Sequence, residues 1–199
     1  CMDGAEYPTM SMLSSSLDGA ELLRALAHET AHQWWYAAVG SNQITQAWQD
    51  EGLAEFSALL FFEKHPEYGV SGGTLLENSC LEYKNYRSVY ESSLGWVDSR
   101  MSRLLSEYVN EYEYRSLAVH KSMVMWDTLR TSIGEKKLLA GLKKYYAENK
   151  YRRAFPANMV GAFERCGTDL NGFFEGKEKG VIGKATRLLI PLISFLWEG

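Results

Sequence analysis

Two histidines four residues apart, His28 and His32, enclose a glutamate in the run Ala27-His28-Glu29-Thr30-Ala31-His32. Residues four apart on a helix share one face and lie about 6 Å apart along the axis, close enough for two imidazoles to hold one cation. A catalytic zinc keeps three protein ligands and leaves its fourth position to water, so a third ligand must come from elsewhere. Glu51, in Asp50-Glu51-Gly52 at the opening of a second helical segment, is placed to supply it. Glu29, beside the first histidine, is placed to take a proton from that water. The pattern is that of a hydrolase using one zinc ion. Only four histidines occur in the chain, and this motif takes two of them.

The elements that must position these groups follow from capping and period. Asp18 with Glu21 has capping-box spacing, so the first helix starts near Gly19. It is expected to run through Leu22, Leu26, Trp34 and Trp35 to about Val39, with Gly40 just past its end. Trp34 and Trp35 read as packing residues rather than a substrate platform. The second helix is expected over residues 47–64, stopped by His65-Pro66, with His65 capping its end. On its polar edge Glu51 and Glu55 are neighbours at i,i+4, and Glu55 is either a partner for a ligand histidine's other ring nitrogen or an exposed carboxylate. Further helices are expected over residues 74–90, 117–133, 135–149 and 157–165. Residues 91–100 read as a loop on the rim of a cleft, and 102–116 show no clear period. Residues 1–13 hold no helical period, and Pro8 pushes Tyr7 toward extended backbone.

The 199 residues suffice for one well-packed domain, and 46% hydrophobic with 23% charged residues is ordinary for a globular one. A net charge of -4 leaves no basic footprint for nucleic acid. The apolar run at residues 188–197 contains Pro191 and falls short of the roughly 20 residues a membrane span needs. Three cysteines without a C-x-x-C pairing argue against a disulfide framework or a thiolate zinc site, and Cys80 and Cys166 read as buried thiols. The chain opens on Cys1 and enters a motif at once, the pattern expected of a domain excised from a longer protein.

The run His28 to Tyr36 together with Trp48-Gln49-Asp50-Glu51-Gly52-Leu53-Ala54-Glu55-Phe56 resembles the gluzincin metallopeptidases of the aminopeptidase N type. That family carries H-E-x-x-H-x-W and then W-x-N/D-E-G, whose Glu is the third zinc ligand. The resemblance covers roughly residues 2–175 and implies a mainly α, thermolysin-like zincin domain with a short N-terminal β segment. It implies a peptide substrate and the boundaries 1–175 for the catalytic domain, leaving 176–199 as a tail without a match. Asp3-Gly4-Ala5-Glu6-Tyr7-Pro8 is similar to the G-G-M-E-Y-P of a bacterial branch, which puts Glu6 where the family binds the substrate's free α-amino group. Asp3 replaces that motif's first Gly and Ala5 its Met. In the family a Y-x-K-G tyrosine stabilises the oxyanion, and the matching segment here is Val119-His120-Lys121-Ser122. Three accounts stay open: Tyr114 or Tyr112 reaches in, His120 substitutes, or the site lacks the donor. The implied activity is aminopeptidase-like hydrolysis; the other reading is a zinc-stabilised peptide-binding domain with weak or no catalysis.

Overall fold

A computed structural model describes residues 3–170; the 176–199 tail lies outside the described residues. The expected mainly helical architecture with a short N-terminal β segment is what the chain adopts. It opens with a hairpin of β1 (Gly4–Tyr7) and β2 (Met10–Leu13), paired antiparallel from Gly4 opposite Leu13 to Tyr7 opposite Met10. Gln33 clamps the hairpin turn, accepting from Thr9 N at 2.9 Å and donating to the Tyr7 carbonyl at 3.0 Å.

Helix α1 (Gly19–Ala31) begins where expected, with Asp18 at the N-cap position, though the Asp18 side chain makes no capping hydrogen bond. It ends at Ala31 rather than near Val39. Val39–Gly40 forms a short strand, β3, parallel to β4 (Arg152–Arg153). Packing ends the helix: Trp35 stacks on Tyr145 with centroids 6.1 Å apart, and its indole N–H donates to Ser57 Oγ at 2.9 Å. Trp34 turns outward and is 50% exposed, so the packing reading holds for Trp35 and fails for Trp34.

After a single turn, α2 (Gln43–Gln46), comes the central helix α3 (Trp48–Lys64), with His65 at its C-cap. Trp48, Leu53, Phe56, Leu59 and Phe62 are all buried, and so are the polar Gln49, Asp50 and Glu55. From Trp48 to Leu60 the helix is covered on every side, as a core helix is, while Phe61, Glu63 and Lys64 reach the surface; Gly52 lets it touch its neighbour, since a Cβ there would lie 2.3 Å from Ser122 Cβ.

Helix α4 (Gly72–Leu94) is longer than the expected 74–90, capped by the Ser71 hydroxyl and closed by Gly95 at φ 74°. The expected helix 117–133 divides in two. A single turn, α5 (Glu111–Tyr114), leads into a π-helical stretch, Arg115–Lys121, and then α6 (Ser122–Ile133). Helices α7 (Glu135–Asn149) and α8 (Pro156–Glu164) complete the body, with Trp126 set between Phe56 and Phe163. Cys80 and Cys166 are exposed, not buried. Cys80 sits beside Lys84 and Arg87 of α4, and Cys166 lies just beyond the end of α8. Among the described residues no helix is long and apolar enough to cross a membrane.

Lys121 is buried within this body, donating to the Ser99 carbonyl and lying 5.3 Å from the centre of the Tyr83 ring. Burial pushes its ammonium down to about 7, helped by Arg87. Between that value and the ordinary lysine range the unfolded chain holds one more proton than the folded one, so stability rises with pH. Urea unfolding at pH 7, 8 and 9 should show wild type gaining on Lys121→Met by on the order of 1 kcal/mol per pH unit. Parallel pH profiles for the two proteins would refute this.

Candidate metal centre

His28 and His32 project from the last turn of α1, and Glu51 comes from the first turn of α3, which packs against it. His28 Nε2 and His32 Nε2 are 3.1 Å apart, and Glu51 Oε2 lies 3.3 Å from the first and 3.9 Å from the second. Bonds of about 2.1 Å at tetrahedral angles place ligand atoms about 3.4 Å from each other. The three atoms therefore fit the edges of one tetrahedral site.

Each imidazole's other nitrogen is already engaged. His28 Nδ1 lies 2.8 Å from Glu55 Oε2, and His32 Nδ1 lies 3.0 Å from the Trp35 carbonyl. Both acceptors call for a proton on Nδ1, which leaves both Nε2 lone pairs pointing at one another and wanting a cation. The early end of α1 matters here, because it frees the Trp35 carbonyl to orient His32. Of the two alternatives for Glu55, the structure selects the histidine partner: Glu55 is buried and Arg24 Nη1 donates to both its oxygens at 2.9 Å.

The charges follow from these contacts. Burial opposes a proton on His28, but Glu51 and Glu55 outweigh it and push the imidazole up to about 10. Burial works against Glu51 too, yet His28 and His32 hold its carboxyl down at about 2. Glu29 behaves oppositely. Burial, reinforced by Glu6 and Glu51 against the pull of His28, raises it to about 7, and its Oε2 is buried without a hydrogen-bond partner. Gly4 makes that placement possible, since a Cβ there would sit 2.5 Å from Glu29 Oε1.

These groups line a cleft of about 610 Å³ shared by Glu6, His28, Glu29, Glu51 and Tyr114. Tyr114 O–H donates to Glu51 Oε1 at 2.8 Å. Val119 lines the same cleft, whereas Tyr112 and His120 line a separate cavity, where His120 Nδ1 meets Ser79 Oγ at 3.0 Å. Gln43, not singled out by its sequence context, donates through Nε2 to both Glu6 and Asp50. Arg24 was equally silent in the sequence, although its i,i+4 spacing to His28 put it on the ligand face.

Residues 9–176 match the model described as the Peptidase family M1 domain. The chain belongs to peptidase family M1. Human endoplasmic reticulum aminopeptidase 2 is 27% identical over 142 residues, which cover 71% of this chain and 14% of that protein. A mutant M1 zinc metallopeptidase from Deinococcus radiodurans superposes with a TM-score of 0.62 at 17% identity, over 83% of this chain and 34% of that one. Its crystal structure with a Tyr-Ser-Ala substrate gives 0.58 at 18%, over 81% and 33%. At these identities the likeness is one of fold. The chain thus spans about a third of the length of the M1 metallopeptidase and 14% of the human aminopeptidase.

If Glu55 fixes His28 as the contacts indicate, Glu55→Ala should weaken zinc affinity about 10- to 100-fold, read by competition with a chromophoric chelator. An unchanged affinity would show that the contact is idle.

Proposed function

We propose that this chain is the catalytic domain, over residues 1–175, of a zinc-dependent peptidase that removes residues from the free amino end of peptides. The observation that carries this reading is the trio of His28, His32 and Glu51 atoms at tetrahedral edge distances, with both Nδ1 atoms engaged elsewhere. Membership of family M1, and relatives named as an aminopeptidase and as zinc metallopeptidases, support the same conclusion.

When bound by these three residues, zinc supplies a Lewis acid that polarises the scissile carbonyl and lets water attack near neutral pH. The chain's own groups do the rest. Glu29 takes the attacking water's proton on its unpartnered oxygen and passes it to the leaving amine. Tyr114 donates a hydrogen bond from its hydroxyl to the developing oxyanion, exchanging its present acceptor, Glu51, for the substrate. Glu6 receives the substrate's α-ammonium, with one oxygen fixed by Gln43 and the other free.

The competing reading, a zinc-stabilised peptide binder without turnover, draws on Val119 in the tyrosine position and Ala5 in the amine motif. A tyrosine hydroxyl already 2.8 Å from Glu51 favours the enzyme.

On metal-loaded protein, Glu29→Gln should keep its zinc and lose hydrolysis of aminoacyl and peptide substrates. Tyr114→Phe should lower kcat on the order of a hundred- to a thousand-fold. A wild type that binds peptides tightly yet cleaves none would sink the enzyme reading and leave the binder. Blocking the substrate's amino group by acetylation should also abolish cleavage, and equal rates would remove Glu6 from its role.

A further inference from the structure

Asp3 and Arg115 stand 112 residues apart in sequence and meet at the cleft, where Arg115 Nη2 donates to Asp3 Oδ2 at 2.9 Å. The same carboxylate oxygen accepts from Arg24 Nη2 at 3.0 Å. Arg24 then continues to Glu55, and Glu55 to His28. Each member of this ionic chain adjoins one piece of the site. Asp3 leads into the strand that carries Glu6, Arg24 lies one turn before His28, Glu55 one turn after Glu51, and Arg115 directly follows Tyr114.

We infer that Asp3 is a positioning residue, latching the strand that bears Glu6 to the helical turn that bears Tyr114 and so fixing the amine-reading end of the cleft. The inference rests on the proposed role of Glu6. Beyond Asp3 the hairpin meets the helical body through α1 and the turn after it, where the Glu29 carbonyl accepts from Ser11 and Gln33 holds the hairpin turn, and through Gln43 of α2, which donates to Glu6. Asp3 supplies its bond to the other wall of the cleft. The Asp3–Arg115 pair is about one-third exposed on each side, and pairs in that setting contribute little to global stability. Its effect therefore falls on geometry. Two arginines on one oxygen call for a carboxylate, since Asn at position 3 keeps an acceptor without the charge and Gly loses both.

The test uses the zinc-loaded protein and two calorimetric probes, leucine hydroxamate and its N-acetyl form, which differ only at the amine. Wild type should prefer the free amine. Asp3→Asn should cut that preference on the order of tenfold to a hundredfold while leaving zinc content and affinity for the acetylated probe unchanged. Asp3→Glu should recover part of it. Arg115→Gln should reproduce the loss, and the double variant should be no worse than either single one. An Asp3→Asn protein with the wild-type preference, or one that loses zinc instead, overturns the latch. A wild type blind to the amine overturns the assignment of Glu6 itself, and the latch with it.

Discussion

Two imidazole nitrogens, 3.1 Å apart with their lone pairs facing, are the constraint that the rest of the fold serves. Left to themselves they would rotate apart. They are held because Glu55 and the Trp35 carbonyl each claim the opposite ring nitrogen. Burying a second carboxylate, Glu51, against the pair makes the pocket demand positive charge. The proton drawn onto His28 and the depressed Glu51 are two signs of that demand.

Holding such a site together requires helices closer than ordinary side chains allow. Gly4 brings the hairpin against Glu29, and Gly52 brings α3 against α6, each where a Cβ would overlap a neighbour. The first three turns of α3 are then enclosed, and their polar residues need partners within the protein. Gln49 finds the Tyr145 hydroxyl at 2.6 Å, Asp50 finds Gln43, and Glu55 finds Arg24 and His28. Asp50 keeps one oxygen buried without a partner, and burial with Glu51 beside it raises its pKa well above the ordinary value. A polar stripe on a core helix is thus stabilised by specific contacts from three other helices, α1, α2 and α7.

Local spacing made much of this legible. Helical periodicity alone puts His28 and His32 on one face, and the run around Glu51 announces a helix start. The end of α1 was not legible, because Gln33 to Val39 contains no breaker and every residue there tolerates a helix. What ends α1 comes from afar: Tyr145 under Trp35, and Arg152 beside Val39. Trp34 misled for a related reason, since a large aromatic on a helix reads as core, and the chain had already left the helix. Cys80 lies on the outer face of a long α4 whose weak amphipathic pattern does not announce which side is buried. The ties Asp3–Arg115 and Gln43–Glu6 have no local signature, because both partners are ordinary polar residues until the hairpin folds back.

The tyrosine position shows how backbone geometry alters what a sequence match means. In an α-helix Tyr114 and Val119, five residues apart, would point about 140° away from each other. The stretch that joins them is π-helical, and i→i+5 bonding brings residues five apart onto nearly the same face. Both side chains accordingly line the cleft, with the valine filling the position that a motif match assigns to tyrosine and Tyr114 one turn before it. From there the Tyr114 hydroxyl reaches Glu51, donating to its Oε1 at 2.8 Å. A second bulky ring at position 119 would share one cleft with the Tyr114 ring, and the valine there leaves that space to the tyrosine.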